Sequence, residues 1–256
     1  MTSISGQPAG KDDFSTLAQG YVLFRPRYPQ SLYDYLLAWV PHRRLAWDAG
    51  CGSGQATLDL AGRFERVIGS DFSAAQIAAA PPCQKVEWRV APAEQSGLDT
   101  ESVDLITCAQ SLHWFPLEAF YAEARRVLVP GGVIAAWTYG VVEMDDPEID
   151  VLVQRFRTET LGGLWNPERR HVDTQYRELS FPFEEIQVPP YTLSVNWTLA
   201  QLMGYLRSWS ATGRYVGMYN TDPVEALARE LLPLWGHPQE ARGVSWPLTA
   251  RIGRKV

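Results

Sequence analysis

The chain has 256 residues, room for one or two domains with a sizeable core, which excludes a stapled mini-protein. Hydrophobic residues make up 46% and charged residues 20%, the balance of a globular chain in water. The formal charge of −6 repels phosphate backbones on average, and only Arg251, Arg254 and Lys255 gather positive charge, so no nucleic-acid partner is expected. The three cysteines, at 51, 83 and 108, make no disulfide framework, and with no Cys-x-x-Cys or His-x-x-x-His pair no metal is expected. The N-terminus has no basic segment leading into an apolar one, and the uncharged stretch 186–206 is interrupted by Gln187, Pro189, Pro190 and Asn196. No signal peptide and no membrane partner are expected, and a reducing cytoplasm is the expected setting.

Ser31 precedes Leu32, Tyr35, Leu36 and Trp39 at helical spacing, and Pro41 ends the pattern, so an N-terminal helix comes first. Short apolar runs follow at 45–47, 67–69, 86–90, 103–108 and 133–137, separated by candidate helices at about 55–64, 73–80 and 117–128. Strands alternating with helices imply βαβ units and a parallel sheet covered on both faces, a Rossmann-like α/β fold. After residue 140 the alternation stops. Asp146-Pro147 starts a helix to about 160, followed by a loop carrying Trp165, Arg169, Arg170 and His171. A helix from Thr198, with Gln201 completing a capping box, is predicted to run to Trp209, and another starts at Asp222-Pro223. The stretches 184–195 and 244–252 are predicted strands. The expected organisation is an N-terminal helical segment (1–40), a nucleotide-binding core (41–140), a helical cap with an added strand (141–235) and a strand returning to the sheet (236–256).

The strongest chemical signal is Asp48-Ala-Gly50-Cys51-Gly52-Ser-Gly54, where a buried strand ends in an acid and turns through glycines into a helix. The next strand ends at Asp71, close to the spacing at which a carboxylate holds a ribose diol. Neither Gly-x-Gly frame completes Gly-x-Gly-x-x-Gly, and Gly-Lys-Ser/Thr is absent, so a dinucleotide or a phosphate loop is disfavoured. Acid-x-Gly-x-Gly-x-Gly resembles motif I of the class I S-adenosylmethionine-dependent methyltransferases. The resemblance continues through Pro92-Ala93-Glu94, the fourth strand 102–110 ending at Gln110, and Leu128-Val-Pro-Gly-Gly, read as the turn from a helix into the fifth strand.

It implies S-adenosyl-L-methionine as cofactor, held by Asp48, Gly50, Cys51, Gly52, Gly54, Asp71, Phe72, Ala93, Glu94 and Gln110. Asp48 is expected to favour the cofactor's cationic groups. Cys51, where a small residue is needed between glycines, is not read as a nucleophile. A narrower resemblance, to the trans-aconitate methyltransferase branch, comes from Tyr21-Val-Leu-Phe-Arg25-Pro-Arg-Tyr28, Gln110-Ser-Leu-His113-Trp114 and Trp209-Ser-Ala-Thr-Gly-Arg214-Tyr215. It implies Tyr21, Arg25 and Tyr28 closing over the cofactor, and Trp114, Trp209, Arg214 and Tyr215 contacting a small-molecule substrate. His113 follows the fourth strand, where open α/β sheets carry their active sites, and is the candidate catalytic residue, with a substrate or cofactor contact and a capping or packing role as alternatives. Carboxylate O-methylation of a small polycarboxylic acid is the expectation. Methylation at carbon or nitrogen, and non-catalytic cofactor binding, are the alternatives.

Overall fold

The computed structural model describes residues 26–256, so Tyr21 and Arg25 lie outside the described residues. The first described helix, α1 (Gln30–Leu37), buries Leu32, Tyr33, Leu36 and Leu37 on one stripe. The apolar runs become β1 (Leu45–Ala49), β2 (Arg66–Asp71), β3 (Val86–Val90), β4 (Val103–Ala109) and β5 (Leu128–Tyr139). The helices α2 (Gln55–Ala61), α3 (Ala74–Ala79) and α4 (Leu117–Val127) connect them. All pairings among β1 to β5 are parallel. Because side chains alternate along each strand, Ala46, Val67, Leu105 and Val133 enter one hydrophobic cluster, while Trp47, Ile68, Ile106 and Ile134 enter another on the opposite face.

The remaining strands are β6 (Glu143–Met144), β7 (Glu184–Ile186), β8 (Tyr191–Trp197) and β9 (Arg242–Arg254). Among the described residues the sheet has nine strands in the order β3-β2-β1-β4-β5-β9-β6, with β7 and β8 also paired to β9. β9 runs antiparallel to β5, β6, β7 and β8. The chain departs from β1 in one direction to β2 and β3, then returns to place β4 on its other side. The carboxyl ends of β1 and β4 therefore flank a crevice where ligands bind in open α/β sheets.

The 141–235 region differs from expectation in four places. It contributes three strands to the sheet, β6, β7 and β8, rather than one. The expected loop after residue 160 contains a short helix, α6 (Arg169–Asp173), which follows α5 (Pro147–Arg155) and its continuing turn Phe156–Thr160. The helix capped by the Thr198–Gln201 box, α7 (Leu199–Arg207), stops before Trp209, whose extended backbone (ψ 136°) begins a separate helix, α8 (Ser210–Tyr219). β8 runs on to Trp197, past the predicted end of the strand at 195. α9 (Pro223–Trp235) begins at Asp222, whose carboxylate accepts the Val224 N–H.

Leu128-Val-Pro-Gly-Gly is likewise not a turn leading into a strand. Residues 128–139 form one strand, and the register jumps from Val103 opposite Leu128 to Leu105 opposite Val133. Gly131, at φ +75°, lets the extra residues bulge, and its N–H donates to the Lys255 carbonyl, splicing β5 to the C-terminus.

Candidate active site

From β1 the chain turns through residues 50–54 into α2, and the turn is fastened to the end of β2. Cys51 N–H donates to the Ser70 carbonyl (2.9 Å), and Gly52 N–H to Asp71 Oδ2 (2.8 Å). Ser73 N–H donates to Asp71 Oδ1 (2.8 Å). Each carboxylate oxygen keeps a further lone pair for a hydroxyl group. Burial raises the Asp71 pKa from its ordinary value. At Gly52 (φ +55°) a Cβ would meet nothing closer than 3.8 Å, so this backbone faces open space. At Gly54 (φ +94°) a Cβ would lie 2.2 Å from the Trp88 ring, which braces the loop from behind.

The open space is a cleft at the carboxyl ends of β1, β2 and β4. Of the expected cofactor contacts, Gly50, Cys51, Gly52, Asp71, Phe72, Ala93, Glu94 and Gln110 line it, as does Trp114, expected on the substrate side. Phe72 stands 50% exposed at its wall, a flat apolar surface suited to a planar ring. Gln110 has φ +59°, and its side chain is held by Thr138, whose hydroxyl donates to Oε1 (2.7 Å). Burial pushes the Cys51 thiol well up, so it is no thiolate at neutral pH.

Other expected residues fall elsewhere. Asp48 does not reach the cleft: it is fully buried beneath the loop, its two oxygens accepting from the Thr57 and Thr107 hydroxyls (both 2.6 Å). A direct contact with a bound cation is thus replaced by a tie between β1, α2 and β4. Desolvation raises its pKa to about 6 against those two hydrogen bonds. Gly54 also lies behind the cleft, packed on Trp88. Trp209 is 4% exposed and packs among Phe156, Trp165 and Tyr205, so it belongs to the core of the cap. Tyr215 packs against Tyr219 on α8 (4.6 Å) and does not line the cleft. Arg214 donates to the Leu164 carbonyl (3.0 Å) and to Asn166 Oδ1, clamping the segment before α6.

His113 sits in the turn Leu112–Trp114 after β4, its Nδ1 2.8 Å from the Tyr176 hydroxyl. Its pKa is pushed down to about 3, first by burial and then by the charges of Arg169 and His171. At neutral pH the imidazole is uncharged and weakly basic.

Tyr28, quoted in the N-terminal motif, lines the cleft, whereas sequence reasoning passed over other cleft residues, among them Ser53, Gln55, Ser73 and Gln76. Ser53 had a signal, being the polar residue inside the glycine motif. Its Oγ is buried with no hydrogen-bond partner among the described residues, as expected of a group awaiting a ligand. Tyr28 is fixed by edge-on packing against Trp137 (5.4 Å), a pairing no local pattern announces. A nucleoside with a ribose diol fits this set: a carboxylate at the end of β2, an aromatic wall, an unsatisfied hydroxyl, and a glycine backbone open to close approach.

Residues 47–136 match the family described as a methyltransferase domain. The solved structure of a type II methyltransferase from Anaeromyxobacter dehalogenans is similar at a TM-score of 0.84 and 45% identity, over 91% of this chain and 99% of that one. A methyltransferase of Dictyostelium discoideum is 36% identical over 236 residues, covering 91% of this chain and 90% of its own length. An S-adenosylmethionine-dependent methyltransferase of Saccharomyces cerevisiae is 28% identical over 221 residues, or 73% and 76% of the two chains. The chain belongs to the class I S-adenosylmethionine-dependent methyltransferases. It is a methyltransferase with S-adenosylmethionine as its cofactor. Among the described residues no helix is long and apolar enough to cross a membrane.

Proposed function

We propose that the enzyme methylates a carboxylate oxygen of a small polycarboxylic acid. The observation that carries this reading is the weak basicity of the candidate catalytic residue. His113 is neutral with a pKa near 3, and its partner Tyr176 has a hydroxyl that burial pushes far above the ordinary phenol range. Neither takes a proton readily from an amine, a phenol or a carbon acid at neutral pH, whereas a carboxylate arrives already ionised.

When bound, S-adenosylmethionine supplies a methyl group already activated on a sulfonium. The chain's own residues bind, align and keep water out. Asp71 would accept the ribose hydroxyls, Phe72 and Ala93 would cover the adenine, and the Gly52 backbone would let the amino-acid portion lie close. Trp114 stands where cofactor and acceptor meet, and alignment there is worth about 7 to 11 kcal/mol of the barrier.

The test is the chemistry of the product. The protein is incubated with methyl-labelled cofactor and, separately, with di- and tricarboxylic acids, amines and phenols, and each product is treated with mild alkali. Methyl esters release the label as volatile methanol. Label that survives alkali on an amine or a carbon would overturn the reading.

A further inference from the structure

The cap segment Arg157–Tyr176 holds polar atoms that neither the fold nor the cofactor cleft uses. Arg157 Nε, Asn166 Nδ2 and His171 Nδ1 are buried with no hydrogen-bond partner among the described residues. Leaving such a group unsatisfied is costly, and folded proteins keep few of them outside functional sites. Asn166 is only 9% exposed, and its Oδ1 is taken by Arg214, which fixes the amide and presents Nδ2 as a donor.

Arg157 and Arg169 meet at Asp173 and Trp165, with Asn166 next to Trp165 in the chain and His171 on the same short helix as Arg169. The guanidiniums of Arg157 and Arg169 both pair with Asp173 Oδ1 (2.7 and 3.4 Å), and both lie over the Trp165 ring (5.9 and 4.7 Å). α6, which carries Arg169 and His171, packs on the turn holding His113 and Trp114. The charges of Arg169 and His171 act on the His113 imidazole, which lies 5.0 Å from the Trp114 ring, a wall of the cofactor cleft. Arg157 Nε and Asn166 Nδ2 can only donate, so the group they await is an acceptor of hydrogen bonds. Two guanidiniums at the same place make an anionic acceptor the better match.

We infer that Arg157, Asn166 and His171, with Arg169 beside them, receive a non-reacting acidic group of the methyl acceptor, a carboxylate or a phosphate. The inference rests on the reading that the acceptor is acidic, and it moves the anion contact from Arg214 to the segment that Arg214 clamps.

The experiment is calorimetric titration of the full chain saturated with S-adenosylhomocysteine, using tricarballylate, inorganic phosphate and uncharged trimethyl tricarballylate as probes. The variants are Asn166→Asp, which keeps the oxygen bound by Arg214 but replaces the donor with an acceptor, and His171→Asn. Tricarballylate is expected to bind the parent protein and to bind Asn166→Asp about tenfold or more weakly, the effect of losing a hydrogen bond to a charged group. His171→Asn should weaken it less, and S-adenosylhomocysteine affinity should hold within about twofold in both, the sites being independent. Phosphate binding alone, lost in the same variants, supports the subsite and removes the carboxylate reading. Equal binding by parent and variants, binding of neither anion, or equally tight binding of the neutral ester overturns the subsite. If the parent still yields an alkali-labile ester in that case, the proposed function survives without it.

Discussion

At Gly54 two independent constraints exclude any side chain: a backbone φ of +94° and a Trp88 ring 2.2 Å from the place of a Cβ. Gly54→Ala is expected to cost about 1 to 3 kcal/mol of stability and to displace the loop that Asp71 fastens. Denaturant unfolding and calorimetry with S-adenosylhomocysteine should show both losses, and an intact affinity would mean that Trp88 yields instead of the loop. Buried ionisable groups give a second residue-scale prediction. His113 has its pKa pushed down to about 3, so the unfolded chain binds a proton below about 6.5 that the folded chain refuses. The stability it contributes is fully present above that pH and is lost as pH falls towards 3. Asp48, raised to about 6, has the opposite sign: its contribution is present below its unfolded value near 3.8 and is lost as pH rises through 6. Comparing His113→Gln with the parent protein isolates the first effect. The variant should gain relative stability by up to about 1.4 kcal/mol per pH unit between pH 6.5 and pH 5, read by urea unfolding at each pH.

Among the elements, α8 connects the cap to the acceptor side. Its Arg214 reaches the Leu164 carbonyl and Asn166 across the chain, and on the inference above it acts by positioning Asn166. Arg214→Ala is expected to raise the acceptor KM about tenfold with cofactor affinity held within a few-fold. Because Arg214 works through Asn166, Arg214→Ala combined with Asn166→Asp should be clearly less than additive in KM. Full additivity would show that Arg214 contacts the acceptor directly. α8 was hidden in the sequence by a coincidence of spacing. Leu202, Leu206 and Trp209 are all buried, so the apolar period continues through the break. What ends α7 is polar and local: the Ser208 hydroxyl donates to the Tyr205 carbonyl (2.6 Å), and the Thr212 hydroxyl reaches back to the Leu206 carbonyl (2.8 Å).

On the scale of the molecule, β9 holds the two halves together. It pairs with β5 of the core along seven positions and with β8 of the cap region along seven, Leu248 serving both. It also places Trp246, fully buried, where its indole N–H donates to the Tyr205 hydroxyl (2.9 Å). Ending the chain before Arg242 is expected to abolish cooperative unfolding of the whole protein, not to trim an appendage. A sharp thermal transition in the shortened chain, followed by near-ultraviolet circular dichroism, would show that the core stands alone.

Most of the core and the cofactor loop were legible in the residues themselves, because their causes are local. Alternating apolar runs, a proline at a helix start, and glycines between an acid and a helix act within a few positions of the chain. Those features led to β1 to β5, to the helices between them and to Asp71. What only the tertiary structure decided is where side chains distant in sequence meet. Asp48 looked like a cofactor contact until Thr57 and Thr107 were found to occupy its oxygens, and Trp209 looked like a pocket wall until Phe156, Trp165 and Tyr205 enclosed it. His113 carried no sign of its weak basicity, which comes from burial and from cationic groups nearly sixty residues away in the chain. Hydrogen-bond satisfaction and desolvation depend on every neighbour at once, and no periodicity along the chain encodes them.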